Sequence, residues 1–241
     1  MVTRTITLGP ELDWLPDDTE ESLVGTSIHQ AVIVILDTCL NYFRRRAGLP
    51  WFVGNQLKLI IPREGEREAY RPSPDIIVHA NLPATDLTSL NVRVYGPPAL
   101  AIEVASPSTA YSHDLDTVRP EAKPTAYAQA GIAEYLVFDP TGEIISAQVQ
   151  AWRMGPGGVY VPWLPDADTG RWQSALGISF APHGLRLRVY DPDGNLIPTM
   201  DELEMQRDAM GDQMSAMGEQ MEAQAREIAA LRAALQQGEK R

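Results

Sequence analysis

Asp75, Glu103 and Lys123 are the residues of this chain whose types and settings could do chemistry. Asp75 opens the apolar run Pro74-Asp75-Ile76-Ile77-Val78, and Glu103 lies inside Ala99-Leu100-Ala101-Ile102-Glu103-Val104. Both runs have strand length. A strand covered on both faces is uniformly apolar, so an acid within one stands out. Such an acid needs a charged partner, a metal or a raised pKa, because an unpaired buried carboxylate is too costly. Lys123 follows on a predicted helix. Two acids and a lysine are the minimum set for a divalent-metal site that cuts phosphodiesters. The ion supplies a nucleophilic water, neutralises charge and helps the leaving oxygen. Magnesium keeps several waters and takes only one or two protein carboxylates, a role open to Asp75 and Glu103 if their strands are neighbours. Lysine adds a positive charge or a proton shuttle beside the phosphate.

The elements that must position these groups can be read from periodicity. Thr26 or Ser27 is the predicted N-cap of a helix whose buried face is Ile28, Val32, Ile35, Leu36, Cys39, Leu40 and Phe43. Arg44, Arg45 and Arg46 suit its C-terminal dipole, and Gly48 and Pro50 end it. Residues 51–61, 75–79 and 99–104 read as strands. A short helix ends at Ala130 before Gly131, and 134–138 is a fourth strand closed by Asp139-Pro140. The order helix, three strands, helix, strand implies an α/β fold, a mixed sheet covered by helices. Strand-like pieces at 144–152, 158–163, 171–174 and 185–190 predict a small antiparallel extension. From Met200 a heptad runs for five repeats, with Met200, Arg207, Met214, Met221, Ile228 and Leu235 at a. Leu203, Met210, Met217, Gln224 and Leu231 stand at d. This predicts a C-terminal coiled-coil helix over 199–241, pairing as a homodimer. Residues 1–198 form the main domain.

Composition narrows the function. The chain has 241 residues, 44% hydrophobic and 22% charged, which is ordinary for a soluble protein. Net charge is -12. Residues 199–241 hold nine acids and five bases, a net of -4, so the body keeps -8. This argues against a broad nucleic-acid surface, so any DNA contact is local or metal-assisted. The single cysteine, Cys39, cannot form an internal disulfide, and a reducing cytoplasm is the expected compartment. No stretch approaches the ~18 apolar residues of a membrane span, and no signal-peptide stretch is present. Zinc spacing, a glycine-rich phosphate loop and a GxSxG elbow are all missing.

The segments PDIIV, ALAIEVASPST and YAQAGIAEYLVFDP, with Lys123 between the last two, resemble the Uma-type putative restriction endonucleases of bacteria, within the PD-(D/E)xK nuclease superfamily. The resemblance runs from about Thr26 to Tyr190, includes LGISF and LRLRVYDP, and extends to the heptad tail. It implies a restriction-endonuclease-like core in which Asp75 and Glu103 bind Mg2+, or Mn2+ in its place, and Lys123 assists the attacking water. In this branch the lysine moves from the strand to the following helix. That fits Ala105 at the strand position and Lys123 four residues before Tyr127. The implied substrate is DNA, with RNA left open. Two features depart from the family. The acid usually found four residues before the lysine is Arg119 here, which leaves Asp114 or Asp116 as loop charges or replacements. Pro124 directly after the lysine places Lys123 in the first helical turn. The helix dipole there predicts a lowered pKa and a role as base or shuttle. His29, Glu21 and Tyr127 are candidates to support the site. For His29 the alternative is a capping or packing role, for Glu21 a solvated charge and for Tyr127 the core. The functional alternative to the nuclease is a catalytically degenerate interaction protein that self-associates through its coiled coil.

Overall fold

The structure, a computed structural model, describes residues 20–63, 68–82, 86–106, 110–119 and 122–238; side chains at 20–26, 111, 112, 227 and 230–238 lie outside the description. The chain divides into two compact units, Met1–Ile197 and Pro198–Arg241.

The first unit is built on a six-stranded mixed sheet. Its strands are β1 (Phe52–Asn55), β3 (Ile76–His79), β5 (Leu100–Val104), β6 (Glu134–Phe138), β7 (Val149–Met154) and β8 (Tyr160–Pro162), side by side in that order. β5 and β6 pair in parallel and the other neighbours are antiparallel. A parallel pair needs a crossover, and α3 (Lys123–Ala130) lies in it. Gly131 closes α3 in the left-handed conformation, which only a residue without Cβ adopts at little cost.

Both faces of the central strands are covered, which is why β3, β5 and β6 read as continuous apolar runs. On one face α1 (Glu20–Arg46) packs Val32, Leu36, Cys39 and Leu40 against Ile76, Leu100, Ile102, Leu136 and Phe138. On the other, Ile77, Ala101, Tyr135 and Val137 meet Tyr127 of α3, Leu59 of β2 (Lys58–Ile60) and Leu90 of β4 (Ser89–Asn91). A turn of α-helix, α2 (Val92–Tyr95), follows β4. A three-stranded antiparallel sheet of β9 (Trp172–Gln173), β10 (Ser179–His183) and β11 (Arg186–Tyr190) adds Phe180, Leu187 and Val189 to the α1 cluster.

Several sequence expectations are revised. α1 is already helical at Glu20, so neither Thr26 nor Ser27 caps it. The 51–61 strand is two, because Gln56 takes a positive φ of 47° and turns the chain out of the main sheet. β4, α2 and β10 were not expected. β10 carries Pro182, which is poorly suited to a strand, and β4 has only three residues, too few for a periodic signal. β7 and β8 extend the main sheet, and the antiparallel extension is β9–β11 alone.

The second unit is one helix, α4 (Met200–Gly238), about 58 Å long at 1.5 Å per residue. Thr199 caps it reciprocally: Glu202 N–H donates to Thr199 Oγ1 (3.3 Å) and Thr199 N–H to Glu202 Oε2 (2.8 Å). Met210, Met214, Met217 and Met221 on its seam are 61–69% exposed. Among the described residues no helix is long and apolar enough to cross a membrane.

Candidate active site

The β3–β5 register pairs Ile76 with Ile102 and Ile77 with Ala101. Continued by one residue, it sets Asp75 opposite Glu103. Residues directly opposite in an antiparallel pair project to the same face, with Cβ atoms roughly 5 Å apart. That face is the one α3 covers, since Ala101 and Ile77 belong to the cluster containing Tyr127. The two carboxylates, 28 positions apart in the chain, thus meet through strand pairing alone.

Each carboxylate is held by specific partners. Asp75 Oδ2 accepts a hydrogen bond from Val104 N–H (2.8 Å) and lies 3.2 Å from His29 Nε2. Glu103 is 2% exposed. Lys123 Nζ lies 2.9 Å from Glu103 Oε2 and 2.8 Å from Asp114 Oδ1. One turn along α3, Tyr127 OH donates to Glu103 Oε1 at 3.0 Å. Positions four apart share a helix face, so Lys123 and Tyr127 grip the same carboxylate. Pro124 stands in the first turn of α3, where its missing N–H leaves no helical bond unmade.

Asp114 comes from a π-helical turn, Ala110–Asp114. Such wide turns are rare and occur often at functional sites. Tyr135 OH donates to the Asp114 main-chain oxygen at 3.0 Å, and the Tyr135 ring meets Tyr127 edge-on with centroids 5.2 Å apart. Asp114, Lys123, Glu103, Tyr127 and Tyr135 therefore form a closed loop of contacts.

The electrostatics follow from this packing. Burial pushes the Glu103 carboxyl up to about 7, against the pull of Lys123, with Asp75 and Asp114 adding to the rise. Burial would lower the Lys123 amine, but the facing Glu103 and Asp114 carboxylates raise it above its ordinary value. The expected lowered pKa is thus overturned, because two carboxylates within 3 Å outweigh one helix terminus. Burial and the Glu103 charge hold the Tyr127 phenol well above its usual range, so it remains a donor. His29 is raised by its hydrogen bond to Asp75 against the effect of burial, with help from the Val104 main chain and the Glu103 charge.

Asp75, Glu103, Lys123, Tyr127 and His29 are therefore brought to one locus. His29 reaches it from α1, in the layer on the opposite side of the sheet, and bridges to Asp75. The Glu21 side chain lies outside the described residues. Asp116 stays on the surface with Arg119 at 2.5 Å. Asp114 is the group the sequence left ambiguous, because nine positions separate it from Lys123 and no helical spacing links them.

Among the described residues, no group of three or more histidine, cysteine or acidic side chains is arranged to enclose a metal. A closed cage is not what a hydrated hard cation requires. The strand register sets Asp75 and Glu103 side by side, and the neighbourhood holds three carboxylates against Lys123 and His29. Burial is the main cause that raises the Glu103 carboxyl, with the Asp75 and Asp114 charges adding to it, and a divalent cation beside these carboxylates would oppose that rise. The donor set thus fits a hydrated divalent ion held by two carboxylates.

A crystal structure described as a putative nuclease belonging to DUF820 from Anabaena variabilis ATCC 29413 is similar over 58% of this chain and 69% of that one, at 15% identity and a TM-score of 0.38. No curated protein matches. The pattern of the Uma2 family, described as "Putative restriction endonuclease", matches residues 16–181. That span is more than two thirds of the sequence and contains every residue of the site, and the chain belongs to the Uma2 family.

Proposed function

We propose that this chain is a divalent-metal-dependent endonuclease that hydrolyses DNA phosphodiester bonds, using Mg2+ or Mn2+. The observation that carries the reading is the meeting of Asp75 and Glu103 on one sheet face with the Lys123 amine 2.9 Å from Glu103. Asp75 and Glu103 would hold the ion. When bound, it supplies a polarised phosphoryl oxygen and a water acidic enough to attack at neutral pH. Lys123 stays protonated, so it acts as a fixed positive charge and proton donor near the phosphate rather than as a base. Asp114, 2.8 Å from the same amine, would hold it in place with the ion bound. His29 and the Val104 amide orient Asp75, and Tyr127 orients Glu103. We further infer that α4 pairs with α4 of a second copy, since its heptad seam is solvent-exposed and five repeats long. A dimer would set two sites on one duplex.

One observation favours a second reading. Both Glu103 oxygens are already engaged, by Lys123 and by Tyr127. A degenerate nuclease fold that serves assembly would keep them so. Incubation of supercoiled plasmid with the protein and Mg2+ or Mn2+ decides, with Asp75→Ala as control. Nicking that Asp75→Ala abolishes supports the enzyme. Intact plasmid, together with no calorimetric heat from either metal, establishes the scaffold.

A further inference from the structure

Tyr135 stands on β6, where the register pairs it with Ala101 of β5 and Trp152 of β7. Ala101 lies two residues before Glu103 on one strand, so Tyr135 projects to the sheet face that carries Glu103. The Tyr135 ring is fully buried. It stacks on Trp152 with centroids 5.5 Å and planes 13° apart, lies alongside Tyr160 at 6.3 Å and 12°, and meets Tyr127 edge-on. Ring contacts on these sides, on a strand with neighbours at both edges, make it a rigid post. From this post the hydroxyl donates at 3.0 Å to the main-chain oxygen of Asp114, the last residue of the π-helical turn. Leu115 N–H closes the same turn on Ala110 O at 2.9 Å. The Asp114 carboxylate then reaches Lys123 Nζ at 2.8 Å.

A phenylalanine would fill the same space with no polar atom to bury, and a buried hydroxyl is costly unless it is bonded. What the hydroxyl adds over a bare ring is its bond to Asp114. Lys123 is held by two carboxylates of different standing. Glu103 sits on a central strand that ladder bonds fix on both sides, whereas Asp114 sits on a turn between β5 and α3. The turn is the part that needs an anchor, because a fixed charge assists a reaction only from a fixed position. We propose that Tyr135 is a positioning residue: its bond to the Asp114 main chain sets the carboxylate that holds the Lys123 amine in place. For its effect on catalysis the proposal rests on the nuclease reading above; for its effect on the amine it does not.

Two measurements test it. The chain has three lysines, Lys58, Lys123 and Lys240, so the Lys123 ammonium can be followed by NMR in lysine-labelled, metal-free protein. Tyr135→Phe should speed exchange of its protons with water about fivefold, the opening expected from loss of one neutral hydrogen bond. In plasmid nicking with Mn2+ the same variant should lower kcat about fivefold. KM and the calorimetric heat of Mn2+ binding should stay unchanged, since neither proposed ligand is touched. Tyr160→Phe is the control. It loses an equivalent bond beside the same ring, from Tyr160 OH to Ile132 O at 3.0 Å, and should match the wild type in both measurements. In an Asp114→Ala background Tyr135→Phe should lower kcat no further, which a merely structural role would not produce. Wild-type exchange or wild-type kcat in Tyr135→Phe, an equal effect of Tyr160→Phe, or additive losses with Asp114→Ala would overturn the proposal while leaving the nuclease reading standing. If the wild-type chain nicks no plasmid, that reading falls, and the exchange rate alone decides whether Tyr135 holds the Asp114–Lys123 pair.

Discussion

Replacing Glu103 by Gln should abolish the fall in stability that the wild type shows between pH 4.5 and about 7, while removing the proposed activity. The magnitude follows from the buried carboxyl. Its pKa rises from 4.5 to about 7 on folding. A folded-state pKa above the unfolded one means that the native state binds more protons between those values. Wild-type stability therefore falls as pH rises from 4.5 to about 7 and is flat, for this group, above that. At 1.36 kcal/mol per pK unit the loss is about 3 kcal/mol. Gln cannot ionise, so Glu103→Gln escapes the loss. His29 is raised chiefly by its hydrogen bond to Asp75, which both proteins keep. Urea denaturation of wild type and Glu103→Gln, at intervals from about pH 4.5 to pH 8, measures the effect. The difference in unfolding free energy should shift towards the variant by about 3 kcal/mol across that range. Parallel pH profiles would refute the argument, because they would mean that Lys123 and Tyr127 fully compensate the Glu103 charge. Plasmid nicking by Glu103→Gln should be lost under the same conditions.

Two further outcomes are expected. Binding of Mn2+ near pH 7 should release about half a proton, read by calorimetry in buffers of different ionisation enthalpy, because the ion selects the ionised Glu103; the release should vanish above about pH 8.5. Heats independent of buffer would count against Glu103 as a ligand. Removal of residues 199–241 should convert a dimer to a monomer in light scattering without changing the Mn2+ heat, and a monomeric full-length chain would dispose of the pairing of α4.

The sequence by itself determined which residues were anomalous and which elements carried them. A glutamate within Leu100–Val104 cannot be explained by a strand covered on both faces, and Asp75 at the head of an apolar run poses the same question. Pro124 correctly placed Lys123 at the first turn of α3, since proline tolerates little else. The seven-residue period of methionines and leucines foretold α4, because a helix face is a local property of the chain. The tertiary structure decided what those residues meet. The register that sets Asp75 against Glu103, and the turn that carries Asp114 to Lys123, are long-range pairings which no local spacing encodes. The same holds for His29, which arrives from the far layer. The protonation of Lys123 was decided there too. A helix terminus argues for a lowered pKa, but two carboxylates within hydrogen-bonding distance carry more weight, and their presence depends on the whole fold.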